Sequence, residues 1–305
     1  MKSGYVAIIG RPNVGKSTLF NALMNAKLTA VSPKPQTTRI RITGILTSPD
    51  SQIILWDCPG LFQTKDTFNK RLVKIALSSL KEIDLALWLI DCTKYQHQDD
   101  QFVLSNIRKA VHRSNNSSMP IFLLINKLDS IKKELLLPII DLYRNLFDFQ
   151  EIIPISALKG INVPLLKTKI EEYLPAGPQY YENETLSDLP NNLLLSEFIR
   201  EKIYLYTHQE VPYLTAVIVN EIKTIEEKNL LYIQADIIVG KTSIKKIIVG
   251  NKGQMIKRIG TAARKDIEQF FKTQMKQLPA VYLDLFVKVK ENWTENPQLL
   301  SNLGL

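Results

Sequence analysis

The chain has 305 residues, 45% hydrophobic and 23% charged, which suits two domains of about 100–200 residues and excludes extended disorder or collagen-like repeats. Cys58 and Cys92 are the only cysteines, too few for a disulfide scaffold or a Cys-based structural zinc site and consistent with a reducing cytosol. Lysine and arginine number 39 against 30 acidic residues, a net charge of +9, so a polyanionic partner is the first possibility to weigh.

From the N-terminus, short β-branched runs alternate with helical patterns. Strands are expected at Tyr5–Ile9, Ile53–Asp57, Leu85–Asp91, Ile121–Asn126 and Ile152–Ile155. Helices are expected at Ser17–Met24, Asn69–Leu80, Asp99–His112, Leu135–Leu146 and Val163–Tyr173. Apolar strands alternating with helices predict a doubly wound, mainly parallel sheet, an α/β fold. Even the longest apolar stretches, Leu85–Ile90 and Ile121–Ile125, fall far below the 18 or so residues needed to cross a bilayer. The N-terminal Met1-Lys2-Ser3-Gly4 has no signal-peptide pattern. A cytoplasmic protein is expected.

Around Leu174–Asn192 the periodicity stops, with three prolines and many acidic and amide residues. This reads as a linker. Beyond it the order changes to helix Leu193–Tyr206, strands Tyr213–Glu221 and Leu230–Val239, helices Thr242–Val249 and Gln254–Gln274, and strand Val281–Val289. That is a smaller α+β module. The expected division is 1–175, a linker over 176–192, and 193–305.

Four motifs punctuate the first domain. Gly10-Arg11-Pro12-Asn13-Val14-Gly15-Lys16-Ser17 matches the phosphate loop G-x-x-x-x-G-K-[S/T]. Its backbone N–H groups and the following helix N-terminus suit a β-phosphate. Lys16 would bridge the β- and γ-phosphates, the Ser17 hydroxyl would bind Mg²⁺, and Thr18 completes the loop. Asp57-Cys58-Pro59-Gly60 closes a strand. There Asp57 can hold the Mg²⁺ shell while the Gly60 N–H meets the γ-phosphate. In Asn126-Lys127-Leu128-Asp129, Asp129 can accept from guanine N1–H and the exocyclic amine, a donor pair that adenine lacks. This favours GTP over ATP. The backbone of Ser156-Ala157-Leu158 is placed to recognise guanine O6. A similar-looking Gly240-Lys241-Thr242 has Ala235 where the first glycine belongs and is assigned no role.

In order and in strand-end context these elements resemble TRAFAC-class GTPases with a Ras-like G domain. Pro33-Lys34-Pro35-Gln36-Thr37-Thr38-Arg39 falls at the switch I position and is similar to the Thr-Thr-Arg switch of the Era family. Thr38, ahead of Thr37, is the expected Mg²⁺ and γ-phosphate ligand. The metal set is then Ser17, Thr38 and Asp57, and Lys16, Thr38, Asp57 and Gly60 carry phosphoryl transfer. Leu61 stands where Ras-like enzymes place the glutamine that orients water. Asn13 is similar to the loop asparagine of K⁺-activated GTPases, either binding that cation or only shaping the loop.

The second module carries a basic stripe. Between Gly240 and Lys276 stand ten basic residues against Asp266 and Glu268, a local net charge of +8. Within it, Gly250-Asn251-Lys252-Gly253 joins two expected helices, as in a type II KH domain, where this turn presses backbone and helix N-termini against about four nucleotides. Lys245, Lys246, Gly250, Asn251, Lys252, Gly253, Lys257 and Arg258 are the expected RNA contacts. Ile247, Ile248, Ile256 and Ile259 have groove-lining spacing, with core packing favoured. A plain helix–turn–helix corner is the alternative for the turn.

One G domain followed by one type II KH module, with the tail Val-Lys-Val-Lys-Glu-Asn-Trp, resembles the Era family along essentially the whole chain. The resemblance implies Mg²⁺-dependent hydrolysis of GTP to GDP and phosphate, with GTP/GDP and Mg²⁺ as cofactors. It further implies binding to the 3′ end of small-subunit (16S) ribosomal RNA, a role in 30S assembly, and some peripheral contact with the inner face of the membrane. A monomer is expected. Two rivals are an RNA-binding adaptor that holds GTP without turnover, and a GTPase whose basic module docks on anionic lipid.

Overall fold

The computed structural model describes residues 1–95, 98–113, 119–272 and 279–305. The expected helix end at Gln274, and Lys276 of the basic stripe, lie outside the described residues. The chain divides into two compact units, one made of 1–26 and 38–188, the other of 27–37 and 189–305.

The first unit is built on a six-stranded sheet ordered β2-β3-β1-β4-β5-β6. Its strands are β1 (Lys2–Ile9), β2 (Ile42–Thr47), β3 (Ser51–Asp57), β4 (Leu85–Asp91), β5 (Ile121–Asn126) and β6 (Glu151–Pro154). All pairings are parallel except β2 with β3. Helices α1 (Lys16–Met24), α2 (Thr67–Ser79), α3 (Gln98–Arg113), α4 (Leu136–Arg144) and α5 (Val163–Tyr173) alternate with these strands. Every residue of β3, β4 and β5 is buried, as expected for parallel strands covered on both faces. Strand β2 is absent from the runs singled out above. It is a short antiparallel edge strand in which Thr43 and Gly44 separate Ile42 from Ile45 and Leu46, so no continuous apolar run marks it.

The stretch read as a linker is fastened to the first unit as far as Asp188. Ile45 N–H donates to Leu186 O at 2.9 Å, and Ser187 Oγ donates to Thr43 O at 2.6 Å. The Gln52 side chain accepts from the N–H groups of Tyr180 and Tyr181 at 2.8 and 3.0 Å. The first two contacts occupy Ile45 N–H and Thr43 O on the free edge of β2, ladder groups that would otherwise be left unpaired.

The second unit contains α6 (Asn191–Tyr206), β7 (Thr215–Ile225), β8 (Leu230–Val239), α7 (Thr242–Val249), α8 (Gln254–Lys272), β9 (Ala280–Val289) and α9 (Pro297–Asn302). The sheet order is β7-β8-β9, antiparallel then parallel. The chain therefore follows the expected α-β-β-α-α-β course, with α9 added. Segment 27–37 belongs with this unit. Lys27 Nζ lies 2.5 Å from Glu201 and 2.6 Å from Asp266, Val31 N–H donates to Glu201 Oε1 at 2.9 Å, and Arg200 donates to Thr37 O. Glu197, Arg200, Glu201 and Lys202 are all buried on α6. Such charges are tolerated inside only as hydrogen-bonded pairs, and Arg200–Glu197 and Lys202–Glu201 supply them.

Candidate functional site

Parallel strands bring their carboxyl ends to one edge of the sheet, where ligands of open α/β sheets bind. Gly10 follows β1, Asp57 ends β3, Asp91 ends β4, Asn126 ends β5 and Ser156 lies just beyond β6. The four motifs therefore meet at one edge, although they are spread over most of the first unit.

The loop from Gly10 to Gly15 is held from three directions. Arg11 Nη2 donates to Lys94 O at 2.8 Å, and its Nε lies 3.3 Å from the Asp100 carboxylate. Asn126 Nδ2 donates to Val14 O at 2.7 Å while its Oδ1 accepts from Ala157 N–H at 2.9 Å. Lys127 Nζ donates to Asn13 O at 3.0 Å and to Asp91 Oδ2 at 2.6 Å. Gly15, at φ 101°, has no room for a side chain, since a Cβ there would lie 2.3 Å from Asn126 Nδ2. Asn126 thus ties the phosphate loop to the Ser156–Leu158 turn.

Ser17, Thr38 and Asp57 converge. Ser17 Oγ donates to Asp57 Oδ2 at 2.7 Å and lies 2.8 Å from Thr38 Oγ1, which donates to Asp57 Oδ2 at 3.3 Å. Two hydroxyls and one carboxylate are hard oxygen donors of the kind Mg²⁺ takes alongside phosphate oxygens and water. Among the described residues no group of three His, Cys, Asp or Glu side chains offers another metal site. Thr37 is turned instead to Ser32 Oγ, at 2.6 Å, and to Lys34 O.

Lys16 donates to Gly10 O at 3.1 Å and Arg11 O at 2.9 Å. Burial lowers its ammonium to about 8, against the opposing pull of Asp57. A bound triphosphate would restore the charge, so binding should take up a proton wherever free Lys16 is neutral. Nucleotide affinity is expected to fall about fourfold from pH 7.0 to 8.5, read by titration with a fluorescent guanine nucleotide. A flat profile would place this lysine at an ordinary pKa.

Asp129 is exposed on a short turn and accepts hydrogen bonds from Ser156 Oγ and, at 3.2 Å, from Ser130 Oγ. The Ser156 bond, above all, holds its carboxyl below the usual range. Leu128 N–H donates to Ile155 O at 3.1 Å. Gly60 and Pro59 follow β3, while the side chains of Cys58 and Leu61 are fully buried in the core. Leu61 meets the phosphate loop through its N–H, which donates to Gly10 O at 3.0 Å. Asp91 and Asp100 belong to the site without being part of any of the four motifs. Asp91 has a readable signal, a carboxylate at a strand end before Thr93 like the other site motifs. Burial pushes its carboxyl up, but hydrogen bonds from Lys127 and Thr93 hold it low.

In the second unit, Gly250–Gly253 links α7 to α8. Gly250 (φ 73°) is required by space as well as φ, because a Cβ would stand 2.9 Å from Met255 N. Lys252 adopts φ 48° and Gly253 φ 78°, and the space beside Gly253 is open. Lys245, Lys246, Asn251, Lys252, Lys257 and Arg258 are exposed. Of the four isoleucines, Ile248 and Ile259 are fully buried and Ile256 is half-buried, whereas Ile247 is 48% exposed. Core packing claims two and leaves Ile247 on the surface of α7.

Known proteins bear on this geometry. A 50S ribosome-binding GTPase family model matches residues 5–127, and a KH domain model matches 210–294. The GTPase Era of Syntrophus aciditrophicus is 43% identical over 303 residues, covering 99% of this chain and 95% of that protein. The chain belongs to the GTPase Era family. GTPase Era of Geotalea uraniireducens is 42% identical over 303 residues, 99% of this chain and 97% of its own. A point variant of Aquifex aeolicus Era bound to GDP and AlF4⁻ superposes with a TM-score of 0.91 at 39% identity, covering 100% of this chain and 99% of that one. Era in complex with MgGDPNP and nucleotides 1506–1542 of 16S ribosomal RNA gives 0.91 at 40% identity, with the same coverage. The protein is therefore a GTPase with a Ras-like G domain and a C-terminal KH domain, as expected of the Era family.

Proposed function

We propose that this GTPase binds the 3′ region of small-subunit ribosomal RNA through its KH module and acts in 30S assembly. The similarity, at 40% identity over the whole chain, to an Era structure that holds nucleotides 1506–1542 of 16S ribosomal RNA carries this reading. The open Gly250–Gly253 turn and the exposed cations around it support it. In the G domain, the Gly10–Thr18 loop would cradle the phosphates of GTP or GDP. Ser17, Thr38 and Asp57 would hold Mg²⁺, and Gly60 would meet the γ-phosphate. Mg²⁺ supplies charge neutralisation between the β- and γ-phosphates.

Leu61 is buried and cannot position a water, so the intrinsic rate rests on charge placed around the phosphates. No helix among the described residues is long and apolar enough to cross a membrane. The reading places a monomer in the cytoplasm, with peripheral contact at the inner membrane face. Sequencing of RNA crosslinked to the full-length protein in cells is expected to return the 3′ end of 16S ribosomal RNA. Crosslinks spread evenly over other RNAs would overturn the assignment.

A further inference from the structure

Of the cations expected at the KH turn, Lys257 and Arg258 also line a groove between α6 and α8. Helix α8 buries Ile259, Ala263, Ile267 and Phe270, and Gly260 comes close to Leu285 of β9. Lys257, Thr261 and Lys265 are exposed instead, spaced one helical turn apart at about 6 Å. They line a groove of about 590 Å³ shared with Lys202 and Tyr206 near the end of α6. Arg258 lies over the Tyr206 ring, 4.2 Å from its centroid, which presents the guanidinium flat and ready for an oxyanion.

We propose that this α6–α8 groove is a second phosphate-backbone track, separate from the Gly250–Gly253 turn, holding the same RNA beyond the nucleotides gripped there. The proposal rests on the RNA-binding reading above. Asp266 is the acidic residue of the lining and is already paired with Lys27 and Lys202. Lys257 and Lys265 form no salt bridge among the described residues, so the groove keeps a net positive charge facing solvent. Its apolar members, Tyr206 and Ala262, are only half-exposed, and no large exposed aliphatic side chain lines it for insertion between lipids. A concave row of cations suits a strand backbone better than a flat bilayer.

The test uses the full-length protein with two RNAs ending in the small-subunit 3′ sequence, a pentanucleotide and one of about 30 nucleotides. The turn alone accommodates about four nucleotides, so the short RNA cannot fill both surfaces. For Lys257→Gln with Lys265→Gln, affinity for the longer RNA is expected to fall about tenfold at physiological salt. The slope of log affinity against log salt should flatten by about 1.4, at roughly 0.7 for each phosphate no longer neutralised. Lys265→Gln alone, at a cation not counted among the contacts of the turn, should bind the pentanucleotide as before. Each single variant should give half the slope change, which guards against a folding artefact in the pair.

Equal losses on both RNAs would merge the groove with the turn and overturn a separate track. Unchanged binding of both would overturn it as well. Loss of binding to phosphatidylglycerol vesicles with RNA binding intact would overturn it in favour of lipid. If the wild-type protein binds neither RNA, the RNA-binding reading itself fails, and that result is distinct from all of these.

Discussion

Asp129→Asn is expected to weaken GTP binding by about 10³-fold and to create a preference for xanthosine triphosphate. The carboxylate offers two acceptors to guanine N1–H and the exocyclic amine. An amide offers one acceptor and one donor, matching the N1–H and 2-oxo groups of xanthine. Charge-assisted hydrogen bonds contribute about 1.5–3 kcal/mol each, so exchanging two of them for one neutral bond and one pair of facing donors corresponds to about three decades of affinity. The substitution is clean because Ser156 Oγ can donate to an amide oxygen as it does to the carboxylate. Competition between fluorescent GTP and unlabelled xanthosine triphosphate reads the outcome. An unchanged base preference would move guanine recognition away from this turn.

The double variant Asn251→Asp with Lys252→Asp should lose about 10²-fold or more in affinity for RNA, while GTP affinity and the thermal midpoint stay at wild-type values. It removes one cation and adds two carboxylates where phosphates approach, and removing one lysine from a phosphate flattens the salt slope by about 0.7. Aspartate is chosen for a conformational reason. Lys252 sits at φ 48°, which Asp tolerates better than most residues, so the turn survives. A side chain at Gly250 would instead strike the start of α8 and confound folding with binding. Filter titration at several salt concentrations decides. Wild-type affinity would reduce the turn to a packing corner.

The sequence discloses the first unit where backbone chemistry leaves a side-chain trace. Glycines, a lysine and hydroxyls at fixed offsets mark the phosphate loop, and uninterrupted apolar runs mark β4 and β5. It is silent where backbone meets backbone. The hydrogen bond from Ile45 to Leu186 has no residue-type requirement, so the 176–188 stretch reads as free chain. Pairings across long separations are equally hidden. Nothing local marks Lys27 as a partner of Glu201 and Asp266, and the motif around Thr38 gives no hint that residues just before it belong to the other unit. Lys257 and Arg258 illustrate a third limit. Proximity in sequence to Gly253 suggests one surface, but helical phase turns Lys257 and Lys265 toward α6.

The stretch laid along β2 separates what the protein needs for chemistry from what it needs for solubility. The four sequence motifs of the first unit end by Leu158 and α5 ends at Tyr173, so a chain cut soon after that point would still carry every residue proposed above to hold nucleotide and Mg²⁺. It would also uncover the edge of β2 and open it to pairing with a strand of a neighbouring molecule. A fragment meant to keep that edge covered therefore has to extend through Ser187, whose neighbour Leu186 accepts the Ile45 N–H.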